Sequence, residues 1–102
     1  MVYENGALDA TLSAAAGDDA ALFAELRKAF TESLEKQIDL LKRARCDGNW
    51  NVAAMRLKGL AASFHAGELI VLAEEALESA PGDPAIVRRL EAFQVEFAAA
   101  SD

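Results

Sequence analysis

The chain has 102 residues, enough for a single domain around one core. Ten Lys and Arg stand against seventeen Asp and Glu, a formal net charge of −7, which argues against duplex nucleic acid as a partner because that binding needs a basic surface to neutralise phosphates. Just over half of the residues are apolar, yet the aromatic residues are only five Phe, one Trp and one Tyr, and a chain so rich in Ala, Leu and Glu favours helix over strand.

Two firm breaks divide the chain, Asp47-Gly48-Asn49 and Ala80-Pro81-Gly82-Asp83-Pro84, with a weaker one at Gly17. The first segment, Gly6 to Ala16, carries Leu8 and Leu12 at i, i+4 and predicts a short helix with a narrow apolar face. The second is expected to start from Asp18 as N-cap. Leu22, Leu26, Phe30, Leu34, Ile38 and Leu41 then recur at steps of three and four along one side of a helix. Lys42, Arg43 and Arg45 are placed in its last turn, where cations oppose the negative helix end, and Gly48 is the expected stop. The third segment is expected to start from Asn49 as N-cap, with Trp50 as an entry or core anchor and Ala53, Leu57, Leu60 and Phe64 as the apolar stripe. The stripe changes phase beyond Phe64 and continues through Leu69, Leu72, Ala76 and Leu77. A kink or a change of packing partner near Ala66-Gly67 would absorb the five-residue step. The fourth segment has Asp83 as N-cap and Pro84 at the first helical position, with Ile86, Leu90, Phe93 and Phe97 as its buried positions. Short connections between long amphipathic helices predict an all-α fold, an antiparallel up-and-down four-helix bundle with a short N-terminal helix, within one domain over 1–102.

Several functions find no support in these residues. The single cysteine, Cys46, has no partner for an internal disulfide and fits a reducing compartment. No apolar run is long enough for a membrane span, and Met1 to Gly6 lack a signal-peptide pattern, so a cytoplasmic location without a membrane partner is expected. Glu74 and Glu78 form an i, i+4 pair without a histidine to complete a metal site, so no metal or cofactor is expected. No phosphate-binding glycine loop and no nucleophile–base grouping is visible, which argues against a conventional enzyme.

One segment carries a more specific signal: Ala54-Met55-Arg56-Leu57-Lys58-Gly59-Leu60-Ala61-Ala62-Ser63-Phe64-His65-Ala66. It resembles the signature of histidine phosphotransfer (Hpt) domains, which runs His-x-Leu-Lys-Gly, then small residues, then an apolar residue followed by Gly-Ala. Leu57, Lys58 and Gly59 match directly, Ala61, Ala62 and Ser63 match in size, and Phe64 and Ala66 match in character. The turn Asp47-Gly48-Asn49 before Trp50, and Leu69, Leu72, Glu75 and Leu77 downstream, extend the likeness over roughly residues 8 to 98. Two positions depart from it. Met55 stands at the phosphoacceptor position, and a thioether offers no nucleophilic nitrogen. His65, the only histidine, stands where the family has glycine.

On a helical wheel with Met55 at zero, Lys58, Gly59 and Ala62 fall within about 60° of it, while Leu57, Leu60 and Phe64 fall opposite. Met55 therefore sits on an outward strip beside a lysine, a glycine and an alanine. A mid-helix glycine costs about 1 kcal/mol against alanine, so an outward Gly59 needs a reason such as the close approach of another molecule. The resemblance implies two-component phosphorelay signalling, with a response-regulator receiver domain or a histidine kinase as partner and Met55, Arg56, Lys58, Gly59 and Ala62 as contact residues. Met55 at the acceptor position implies docking without phosphate acceptance. Two alternatives stay open: active phosphotransfer through His65, or through a native histidine at position 55, and an unrelated helical adaptor or dimerisation domain. On an unbroken helix His65 lies about 15 Å beyond Met55 and about 80° round from it. That makes a structural role the simpler reading of His65.

Overall fold

The structure, a computed structural model, describes residues 6–99. The segment 1–5, which bears most of the expectation about a signal peptide, lies outside the described residues. Five helices carry the chain: α1 (Gly6–Ala16), α2 (Ala20–Arg43), α3 (Asp47–Ser63), α4 (Gly67–Glu78) and α5 (Pro84–Ala99). Among the described residues there is no strand, and the fold is all-α. No helix among them is long and apolar enough to cross a membrane.

Local chemistry sets the boundaries. α1 spans the range its leucine pair predicts, and Leu8 and Leu12 are both buried. The N-cap of α2 is Asp19 rather than Asp18: its Oδ1 accepts the Leu22 N–H at 3.0 Å, satisfying one of the free donors of the first turn. α2 also ends earlier than its sequence suggests. Ala44 is the C-cap, and Gly48 is no stop but belongs to the first turn of α3. The N-cap of α3 is Cys46, not Asn49, with Asp47 placing negative charge at the positive helix end. Arg45 lies beyond α2, and its guanidinium reaches back to the carbonyls of Lys42 and Arg43 at 3.4 and 3.2 Å. A charged side chain therefore satisfies orphan carbonyls that a terminal glycine would otherwise help to cap. Before α5, the Asp83 N–H bonds Ala80 O at 3.1 Å across Pro81 and Gly82, and Gly82 has φ +83°. Proline followed by a left-handed glycine is the residue order of a type II turn. Asp83 Oδ1 then accepts the Ala85 N–H at 2.9 Å and caps the helix that Pro84 opens.

The long third segment is not kinked but divided. α3 stops at Ser63, and Phe64, His65 and Ala66 form a turn before α4. The His65 N–H bonds Ala62 O at 3.3 Å, and the Ala66 N–H bonds Ala61 O at 2.8 Å. This bond pair is a Schellman cap, in which the residue after the cap adopts a left-handed conformation. That residue is His65, with φ +58°. Ala61 and Ala66, the two residues this motif brings together, are both fully buried.

α3 packs against α2 and most extensively against α4; α4 packs on α5, α5 on α2, and α1 rests on α2. The core lies within this ring. Phe30 of α2 is at its centre, stacked on Phe64 at 5.1 Å between ring centroids and edge-on to Phe97 at 5.2 Å. Phe97 in turn stacks on Phe93. Phe30, Phe93 and Phe97 are fully buried, and each contributes about 1.5–3 kcal/mol by leaving water; Phe64 is half-buried and contributes less. All four expected positions of α5 are buried. On α2, by contrast, only Phe30, Leu34, Ile38 and Leu41 are buried; Leu26 is half-buried and Leu22 exposed, so the stripe outruns its partners. Trp50 is buried, and its Nε1–H donates to Ala76 O at 2.7 Å, joining α3 to α4. A buried indole N–H left without that acceptor would cost about 1–3 kcal/mol.

Candidate docking site

α3 has one buried and one outward side. Trp50, Ala53, Ala54, Leu57 and Ala61 are buried. Three alanines in this set keep the helix axis close to its neighbours, since a longer side chain would hold it away. Met55, Arg56, Gly59 and Ala62 are exposed, and Lys58 is half-buried. The strip expected from the wheel therefore lies on the surface, centred on Met55, which is 55% exposed.

The interior does not require Gly59. A Cβ built there meets nothing within 4 Å, so the residue is neither a close-packing site nor, as part of a regular helix, a turn. Lys58 is engaged laterally, its Nζ 3.5 Å from Glu74 Oε2 on α4. Ion pairs this exposed contribute at most about 1 kcal/mol and are readily exchanged for another anion. Glu75 is likewise engaged, by Arg89 of α5.

Sequence reasoning missed one member of this surface. Val52, one turn before Met55, is 49% exposed. It sits about 60° from Met55 on the same wheel, so the signal was present. Large apolar residues one turn apart, both half in water, give the strip its apolar centre.

His65 is not on the strip, nor on α3 at all. Because the helix ends before it, the distance and angle that a continuous helix implies do not apply. The residue lies in the α3–α4 turn, exposed, with Nδ1 2.8 Å from Thr11 Oγ1. The Thr11 hydroxyl has one proton and gives it to Ala7 O at 2.9 Å. The imidazole contact, whose donor is set by the tautomer, ties α1 to the turn. Cys46, at the start of α3, is exposed. Among the described residues no group of three or more His, Cys, Asp or Glu side chains could hold a metal ion.

No family model matches the chain, and no curated protein or solved structure matches it at a significant level.

Proposed function

We propose that this chain is an Hpt-like module of cytoplasmic two-component signalling. It docks a response-regulator receiver domain or a histidine kinase through Met55, Arg56, Lys58, Gly59 and Ala62, and does not itself accept phosphate. One observation carries the reading: a helix face with an outward glycine that packing does not require, beside two half-exposed apolar side chains and two cations. Glycine at that place leaves a shallow surface on which a partner's backbone can lie, at a cost of about 1 kcal/mol of helix stability.

Two further features support it. The helices α2, α3, α4 and α5 each pack on the next and close on the first, as a four-helix bundle requires. The position where the Hpt signature carries glycine is occupied by His65 at φ +58°, a backbone conformation that glycine adopts without strain. The signature and the turn thus agree on what the backbone needs there, although the side chain differs.

The test is binding of purified receiver domains and kinase domains to the wild-type chain and to Gly59→Gln. Binding that Gly59→Gln lowers about tenfold or more supports docking on this face, because a long side chain there blocks close approach. A complete panel of receivers and kinases that does not bind at low salt would sink the proposal. Phosphotransfer is tested separately with a radiolabelled phosphorylated receiver, where label on the wild-type chain that is lost in His65→Gln would overturn the non-acceptor reading. The adaptor reading has one observation in its favour, a groove of about 520 Å³ along α2, bounded by Ala98 of α5, where Phe23 and Ala24 lie among the charged Arg27, Lys28 and Glu32. A partner whose binding ignores Gly59→Gln but is blocked by Ala24→Arg would favour it.

A further inference from the structure

Charge is unevenly spread over this acidic chain. Residues 42–58 hold five of the ten Lys and Arg (Lys42, Arg43, Arg45, Arg56 and Lys58) and only one of the seventeen Asp and Glu, Asp47. Four of these cations are engaged within the molecule. Lys42 pairs with Glu91 at 2.7 Å, Arg43 with Asp39 at 3.0 Å and Lys58 with Glu74, while Arg45 bonds backbone carbonyls. Arg56 has no ion pair or hydrogen bond among the described residues.

Arg56 lines a cleft of about 300 Å³ between the end of α2 and the first turns of α3. Arg43 is the second cation on it, and Asn49 adds a side-chain amide. Leu40 and Ala44 provide apolar surface, and Val52 joins the cleft to the Met55 strip. No carboxylate among the described residues lines it.

We propose that this cleft anchors an acidic side chain of a protein partner whose neighbouring apolar residues rest on Val52 and Met55. Guanidinium forks match carboxylates in a bidentate geometry. The Asn49 amide is a further donor, and the apolar wall accepts the methylene stem of a glutamate. Charge complementarity selects this occupant. Asp39 already pairs with Arg43, so Arg56 is the uncompensated cation at the cleft, and at physiological ionic strength acids more than about 8 Å from it are largely screened. The acidic remainder of the chain repels the same partner elsewhere, which restricts it to one orientation. The proposal rests on the docking reading for its surface. It adds the partner's chemistry, and it extends the site to Arg43 and Asn49, which lie outside the segment 54–66.

The experiment uses two probes against the full chain. The first is the panel of purified receiver and kinase domains. Arg56→Gln is expected to weaken binding about fivefold and Arg56→Glu more, with Lys36→Glu, an exposed charge on α2, as the unaffected control. Equal affinity of Arg56→Glu and wild type overturns the cleft, while a concurrent loss in Gly59→Gln leaves the docking reading standing. The second probe decides if no domain binds. It is a capped amphipathic helical peptide with a leucine stripe flanked by glutamates, compared with its glutamine counterpart by NMR. Shifts of the Asn49 amide and Val52 methyl signals with the glutamate peptide alone sustain the cleft although the receiver reading has failed. Equal shifts, or none, overturn it. Self-association lost in Arg56→Glu would assign the cleft to a second copy, and stronger shifts with duplex DNA to nucleic acid; either overturns the choice of an acidic protein.

Discussion

The two sides of α3 obey different rules. On the buried side, Trp50, Leu57 and Ala61 are out of water on the helix that packs against α2 and α4, and Trp50 is also held by Ala76 O. On the outward side, packing does not require Gly59, and Met55 and Val52 stay half in water. The end of the helix inverts the relation. At position 65 the left-handed backbone asks for glycine and the chain supplies histidine, held by Thr11. Glycine is thus present at position 59, where packing does not require it, and absent at position 65, where the backbone favours it and the Thr11 contact stands in its place.

The contrast can be broken or sharpened by substitution. The largest expected effect is on the buried side: Leu57→Ala should destabilise the chain by about 2–5 kcal/mol in urea unfolding, whereas Met55→Ala should change stability by less than about 0.5 kcal/mol. Comparable losses from both would show that the outward side is not free surface. Next, Gly59→Ala should stabilise by about 0.5–1 kcal/mol, because the added methyl meets open space and the unfolded chain loses freedom, while partner binding weakens. A destabilised Gly59→Ala would reveal a packing role. His65→Gly should stay within about 1 kcal/mol of wild type, since relief of the left-handed backbone offsets loss of the Thr11 contact. In a double-mutant cycle Thr11→Val should cost stability with His65 present and none with glycine there; the absence of any coupling would remove the imidazole from the turn's account.

The smallest effect concerns Lys42. The hydrogen bond and charge of Glu91 raise its pKa above the ordinary lysine value. Charge on Lys42 is therefore favoured in the folded state. The stabilisation is complete below the ordinary lysine range and is lost as pH rises through the raised value. The difference in thermal stability between wild type and Lys42→Met should be level from neutral pH to about pH 9 and shrink above it. A difference that grows in alkali would contradict the pairing.

Much of this was legible in the sequence because helical periodicity is local. Leu8 and Leu12, the stripe from Phe30 to Leu41, Trp50 and the four apolar residues of α5 were identifiable from spacing alone. Asp83 and Pro84 marked a helix start correctly, since cap and first-turn geometry depend on a few adjacent residues. The α2–α3 boundary was misplaced for a related reason. Gly48 is permissive in a turn but equally able to sit in a first helical turn, and only the satisfied carbonyls above Arg45 show where α2 stops. The outward strip was also legible, including Val52, which the same wheel contains.

By itself the sequence determined that the chain is helical, which faces of the helices are apolar, and that Met55, Lys58, Gly59 and Ala62 share one side of α3, because all of these follow from a 3.6-residue repeat. Tertiary structure alone decided the rest. It divided the third segment at His65, since a turn there lets both Leu57 and Leu69 reach the same core. It joined that turn to α1 through Thr11, engaged Lys42, Arg43, Arg45 and Lys58 while leaving Arg56 without an ion pair or hydrogen bond among the described residues, and brought Arg43 and Arg56 to one cleft. Those are relations between residues distant in sequence, and they are fixed only when the packed helices bring them together.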